Sequence, residues 1–69
     1  MSFIVKELHK IRVEQGLSRK EVAELMQVCA TNLKNWELGL NNPNLTNLES
    51  WVEALGYELE LMKREKPNV

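Results

Sequence analysis

Three glycines and two cap motifs divide this chain into pieces, and no other sequence feature restricts its fold as much. Gly16, Gly39 and Gly56 stand where helical periodicity stops, and the tetrapeptides "SRKE" (18–21) and "TNLE" (46–49) each place a hydroxyl residue three positions ahead of a glutamate. At that spacing the hydroxyl accepts from the third helical amide while the carboxylate reaches back to the cap amide, so each motif opens a helix. A chain punctuated this way forms short helices only. Ile4, Leu8 and Ile11 recur at helical spacing before Gly16 and predict the first. Val22, Ala23, Leu25 and Met26 supply the apolar face of a second, over about residues 19–26. A third carries Leu33 and Trp36 inward, leaves Ala30, Thr31, Lys34 and Asn35 facing out, and ends at Gly39. "NNPN" is a loop, because Pro43 disfavours helix at Asn42. Leu48, Trp51, Val52 and Leu55 then form the i, i+3, i+4, i+7 face of a fourth helix, capped by Thr46 and closed by Gly56.

After Gly56 the period changes. In "YELELMK" Tyr57, Leu59, Leu61 and Lys63 alternate with Glu58, Glu60 and Met62, the period of two that marks a strand. A lone strand leaves its backbone donors and acceptors unpaired. The same strand of a second copy, antiparallel across a two-fold axis, would pair them. The alternative is a fourth helix that continues or frays into a tail. "REKPNV" reads as a disordered end.

Composition narrows the class. A 69-residue chain that is 43% hydrophobic and 28% charged is one small globular domain, with a single core leaving roughly 3–5 kcal/mol of net stability. Cys29 and His9 are the only residues of their kinds, which excludes an internal disulfide and leaves no ligand set for a Cys/His zinc site. Oligomerisation remains as the source of extra stability. No apolar run approaches the ~20 residues of a membrane span, and the N-terminus lacks a signal-peptide pattern, so the expected location is cytoplasmic. The net charge of −1 is unevenly spread. Residues 1–36 carry six bases and four acids, residues 37–69 three bases and six acids, and no Lys or Arg lies between Glu37 and Met62.

From Leu8 to Gly56 the chain resembles the Cro and lambda-repressor-like helix-turn-helix domains. The residues that carry the likeness are Arg12, "GLS" at 16–18, "EVAEL" at 21–25, Val28, Leu33, "WE" at 36–37, Gly39, "NP" at 42–43, Leu45, Leu48 and "ALG" at 54–56, in this order and spacing. The fold so implied is all-α, a compact four- to five-helix domain over residues 1–56. A dimerisation strand over 57–63 and a tail over 64–69 would follow it. Ala23 is small where the second helix must cross closely over the third. Trp36 could be a platform for stacked bases, but its helical spacing from Leu33 favours the core. Trp51 reads as core, with an edge available to the dimer interface beside Tyr57, Leu59 and Leu61.

In that family the third helix enters the major groove and the second crosses the backbone. Carried over by position, the base-facing residues are Ala30, Thr31, Lys34 and Asn35. Asn35 donates and accepts at once, matching the edge of adenine, while Lys34 reaches a guanine or a phosphate, Thr31 offers a hydroxyl and a methyl, and Ala30 a small apolar surface for a thymine methyl. Ser18 and Arg19 at the start of the second helix are phosphate contacts, with Asn32 close by and Lys10 and Lys20 as auxiliaries. The family's usual residue after Ser18 is Gln; Arg19 keeps the donors and adds charge. Arg12 braces the fold, with Glu37 as its partner in the family pattern. Two positions depart from that pattern: Gln27 stands where the turn commonly has Gly, and Cys29 where the helix start commonly has Ser or Thr.

The function implied is a sequence-specific DNA-binding transcriptional regulator, in the first instance a repressor, acting as a homodimer on an inverted repeat. A second class is a protein-interaction module: "ALGYELELMKRE" resembles the terminal strand of HipB-like antitoxins, which would make the acidic half a docking surface for a toxin or another basic partner. The bland reading of the third helix is a solvated polar face. No arrangement of His9 or Cys29 suggests an enzyme, there is no Gly-rich phosphate loop and no cofactor motif, and Cys29 fits a small residue at a helix start better than a redox switch.

Overall fold

The computed structural model describes residues 3–61, and these form four helices: α1 (Phe3–Glu14), α2 (Arg19–Met26), α3 (Ala30–Glu37) and α4 (Leu45–Ala54). The fold is all-α, with four helices among the described residues. α2 packs against both α3 and α4, and α1 packs against α3. Val5, Leu8, Val22, Ala23, Met26, Leu33, Trp36, Trp51, Val52 and Leu55 are buried where the helices meet. The rings of Trp36 and Trp51 lie 5.9 Å apart at 35°. Trp36 is therefore core, not an exposed platform.

The helix starts show where cap chemistry decided. Ser18 Oγ accepts from the Glu21 amide at 3.0 Å, and Glu21 Oε1 accepts from the Ser18 amide at 3.0 Å, the reciprocal box that "SRKE" predicts. The second expected box does not form. α4 begins earlier, at Leu45, capped by Asn44 Oδ1 accepting from the Asn47 amide at 2.8 Å. Asn is as good a cap as Thr, and taking the earlier residue puts Leu45 and Thr46 inside the first turn.

The helix ends share one motif. In each, the amide after the left-handed residue reaches back five positions: Leu17 to Arg12, Val28 to Ala23, Leu40 to Asn35 and Tyr57 to Val52, at 2.9–3.1 Å. This is the Schellman closure, which satisfies terminal carbonyls at the cost of one residue with positive φ. Glycine fills that position three times; after α2 it is Gln27, at φ 60°.

Two apolar stripes sit differently from their sequence reading. On α1 the buried line is Val5, Leu8 and Arg12, with Ile4 and Ile11 at its flanks, because a buried arginine takes the central position. On α2 Leu25 is 64% exposed, since Val22, Ala23 and Met26 already fill the i, i+1, i+4 face.

Residues 57–61 form neither helix nor strand within the single chain. Met62, Lys63 and the 64–69 tail lie outside the described residues. Tyr57, Leu59 and Leu61 are exposed, whereas Trp51, expected at the edge of a dimer interface, is wholly buried. It has no surface to offer a second copy. No helix of the described residues is long and apolar enough to cross a membrane.

Candidate nucleic-acid interface

α2, the turn at Gln27–Cys29 and α3 make a helix-turn-helix unit whose second helix has two unlike sides. Leu33, Trp36 and Glu37 face inward and are buried. Ala30, Thr31, Asn32 and Lys34 are exposed, and Asn35 is half-buried. The side chains of Thr31, Asn32, Lys34 and Asn35 have no protein partner among the described residues. Their donors and acceptors are free.

The inward side is fixed by a charge cluster around Glu37, which is 3% exposed. Arg12 donates from Nε to Oε2 at 2.7 Å and from Nη2 to Oε1 at 3.0 Å, a two-pronged pair, while its Nη1 donates to the Leu17 carbonyl at 2.7 Å. Arg19 Nε donates to Oε1 at 2.8 Å. His9 Nδ1 lies 3.0 Å from the same oxygen and, since a carboxylate only accepts, this ring nitrogen carries the proton. Burial pushes the Glu37 carboxyl up. The hydrogen bonds from Arg12, Arg19 and His9, with the Arg12 charge, outweigh it and hold the group below its ordinary value of 4.5. α1, α2 and α3 are thus tied through one carboxylate.

Ser18 and Arg19 open α2 as expected, with the Ser18 hydroxyl engaged in its cap and Arg19 part-exposed beside Glu37. Lys20 is exposed on the same first turn, and Lys10 is exposed on α1. The turn carries both departures. Gln27 adopts the left-handed conformation, and Cys29 has N-cap geometry, φ −72° and ψ 139°, without any side-chain cap bond.

Sequence reasoning missed His9 and Arg19 as partners of Glu37. His9 stands three residues before Arg12, hence on the same face of α1, and that spacing was the available signal. Nothing local to Arg19 points to residue 37. Among the described residues no group of His, Cys, Asp or Glu is placed to hold a metal ion.

A two-helix unit joined by a tight turn, with the second helix braced behind and open in front, defines the helix-turn-helix class of protein. A helix-turn-helix family model matches residues 8–62, and the chain belongs to that family. It is 32% identical over 59 residues to an uncharacterised HTH-type transcriptional regulator of Rickettsia conorii, covering 86% of this chain and 47% of the relative. It is 30% identical over 59 residues to one of Rickettsia prowazekii, covering 86% and 45%. The chain thus spans about half the length of the curated relatives it matches.

Proposed function

We propose that this chain is a DNA-binding transcriptional regulator that reads the major groove through α3, as a homodimer on an inverted repeat, and represses transcription. The observation that carries this reading is the division of α3: Leu33, Trp36 and Glu37 are committed to the interior, while Thr31, Lys34 and Asn35 present unpaired polar groups on the other side. Base readout needs side chains held to a rigid element, and the bonds of Arg12 and Arg19 to Glu37 tie α3 to α1 and α2. The family and the relatives described as HTH-type transcriptional regulators support the same reading.

Ala30, Thr31, Lys34 and Asn35 then meet base edges, and Ser18, Arg19, Lys20 and Asn32 meet phosphates, with Lys10 at the margin. Tyr57, Leu59 and Leu61, 52%, 42% and 104% exposed, are the surface for a second copy. With two copies, half-site centres lie about 34–36 Å apart. One observation favours a second reading, a docking module for a basic partner protein such as a toxin: Glu49, Glu53 and Glu58 line one hollow with Leu59. Selection from a random duplex pool, followed by a salt titration on the winner, separates the two. The regulator gives a palindromic motif and an affinity that falls steeply with salt; no motif transfers the assignment to the docking module.

A further inference from the structure

The arrangement around Glu37 contains more than a brace. Arg12 by itself supplies a hydrogen bond to each carboxylate oxygen and a full compensating charge. Arg19 is therefore surplus to the pair, and its charge is not neutralised by it. Arg19 uses only its inner nitrogen, Nε, on Glu37 Oε1. Both terminal amino groups are without a protein partner among the described residues, and the side chain is 34% exposed. A guanidinium held in this way presents a rigid pair of parallel N–H donors, the fork that matches two phosphate oxygens.

We propose that Glu37 is a positioning residue for phosphate recognition: it touches no DNA, but holds Arg19 by Nε so that the terminal amino groups grip one backbone phosphate at the start of α2. The proposal rests on the DNA-binding reading above. It gives this residue two duties at once, closing the interior with Arg12 and aiming Arg19 outward. It also assigns a reason to Arg19 over other donors at this position. A lysine has one ammonium centre and cannot bind the carboxylate with one nitrogen and the phosphate with others. A glutamine reaches the phosphate without charge.

The test uses the full chain, with the duplex recovered by selection as the probe, and reads affinity across a salt series. Arg19→Gln is expected to flatten the dependence of log K on log salt by about 0.9 for each protomer. Arg19→Lys is expected to keep the slope and lose about tenfold in affinity, because the charge stays and the oriented fork is lost. Glu37→Gln, made in a Gln27→Gly, Cys29→Ser background to offset its lost stability, opposes two effects. Removing an acid near DNA strengthens binding by simple electrostatics; loss of positioning weakens it. The proposal requires weaker binding, with no further loss when Arg19 is already Gln. Should the Glu37 variant fail to fold even in that background, the two Arg19 variants decide alone. An unchanged slope in Arg19→Gln, wild-type affinity in Arg19→Lys, or equal or tighter binding by folded Glu37→Gln overturns it. If the wild-type chain retains no duplex, the DNA-binding reading itself has failed, which is a distinguishable result.

Discussion

Arg12 and Glu37, 25 positions apart in the chain, meet through two hydrogen bonds of 2.7 and 3.0 Å in the interior between α1 and α3. Removing one partner of a buried pair strands the other, and this typically costs about 3–5 kcal/mol. Glu37→Gln should therefore leave the domain largely unfolded at 25 °C in urea melts extrapolated to water, since a core of this size supplies only about that much. The pair also sets the acid limit. Because the folded carboxyl titrates below 4.5, its contribution is complete above that pH and is lost as pH falls through the depressed value. Stability measured from pH 6 downward should fall in that window, and a stabilised Glu37→Gln variant should follow a flatter curve.

Gln27 and Cys29 are two repairable defects in the turn between α2 and α3. A left-handed residue with a Cβ costs roughly 1–2 kcal/mol, part of which glycine returns as entropy of the unfolded chain. Gln27→Gly should raise Tm by about 4–8 °C, the shift that 1 kcal/mol gives a domain this small. Cys29 already has the backbone angles of a cap, so Cys29→Ser should add about 1 kcal/mol by supplying the missing acceptor. Calorimetry on both single variants and the pair checks this. A Gln27→Gly melt below wild type would show that Gln27 contributes packing that outweighs its backbone.

Asn35 is the residue whose loss should alter selectivity rather than affinity alone. Asn35→Ala is expected to lose about 1–3 kcal/mol of discrimination at one base position while its melting curve stays close to wild type. A repeat of the duplex selection with the variant reads this directly, and an unaltered motif would remove Asn35 from the readout.

Leu59 and Leu61 are exposed and, with Glu60, line a hollow shared with Leu45 and Glu49 of α4. If this surface joins two copies, Leu59→Lys with Leu61→Lys should give monomers by light scattering and halve the length of the protected duplex. A dimer that persists in the double variant places the interface elsewhere. Trp51 has no part in it, being fully buried with an indole N–H that has no acceptor among the described residues.

Local chemistry accounts for what the sequence made legible. The Ser18 and Glu21 box, the stops at Gly16, Gly39 and Gly56, and the spacing of Leu33 and Trp36 each act within one turn, so they could be read without knowing the fold. The outward set on α3 followed from the same periodicity. What escaped depended on competition or on distance. Asn44 displaced Thr46 as a cap because both were plausible and one stood earlier. Leu25 lay beside a face already filled. His9 and Arg19 meet Glu37 across 28 and 18 positions, a convergence that three-helix packing creates. The strand expected after Gly56 would need a second chain to pair with, and residues 57–61 form no strand within the single chain.

The two-sidedness of α3 bears on how such a domain can change its target. The side chains that keep the helix in place are those of residues 33, 36 and 37, and the candidates for base contact are those of 30, 31, 34 and 35, with Asn32 exposed beside them. The outer letters can be rewritten without rebuilding the scaffold. Libraries randomised at those four positions should stay soluble and folded in large part, so that new specificities are limited by the contacts made and not by the tolerance of the protein.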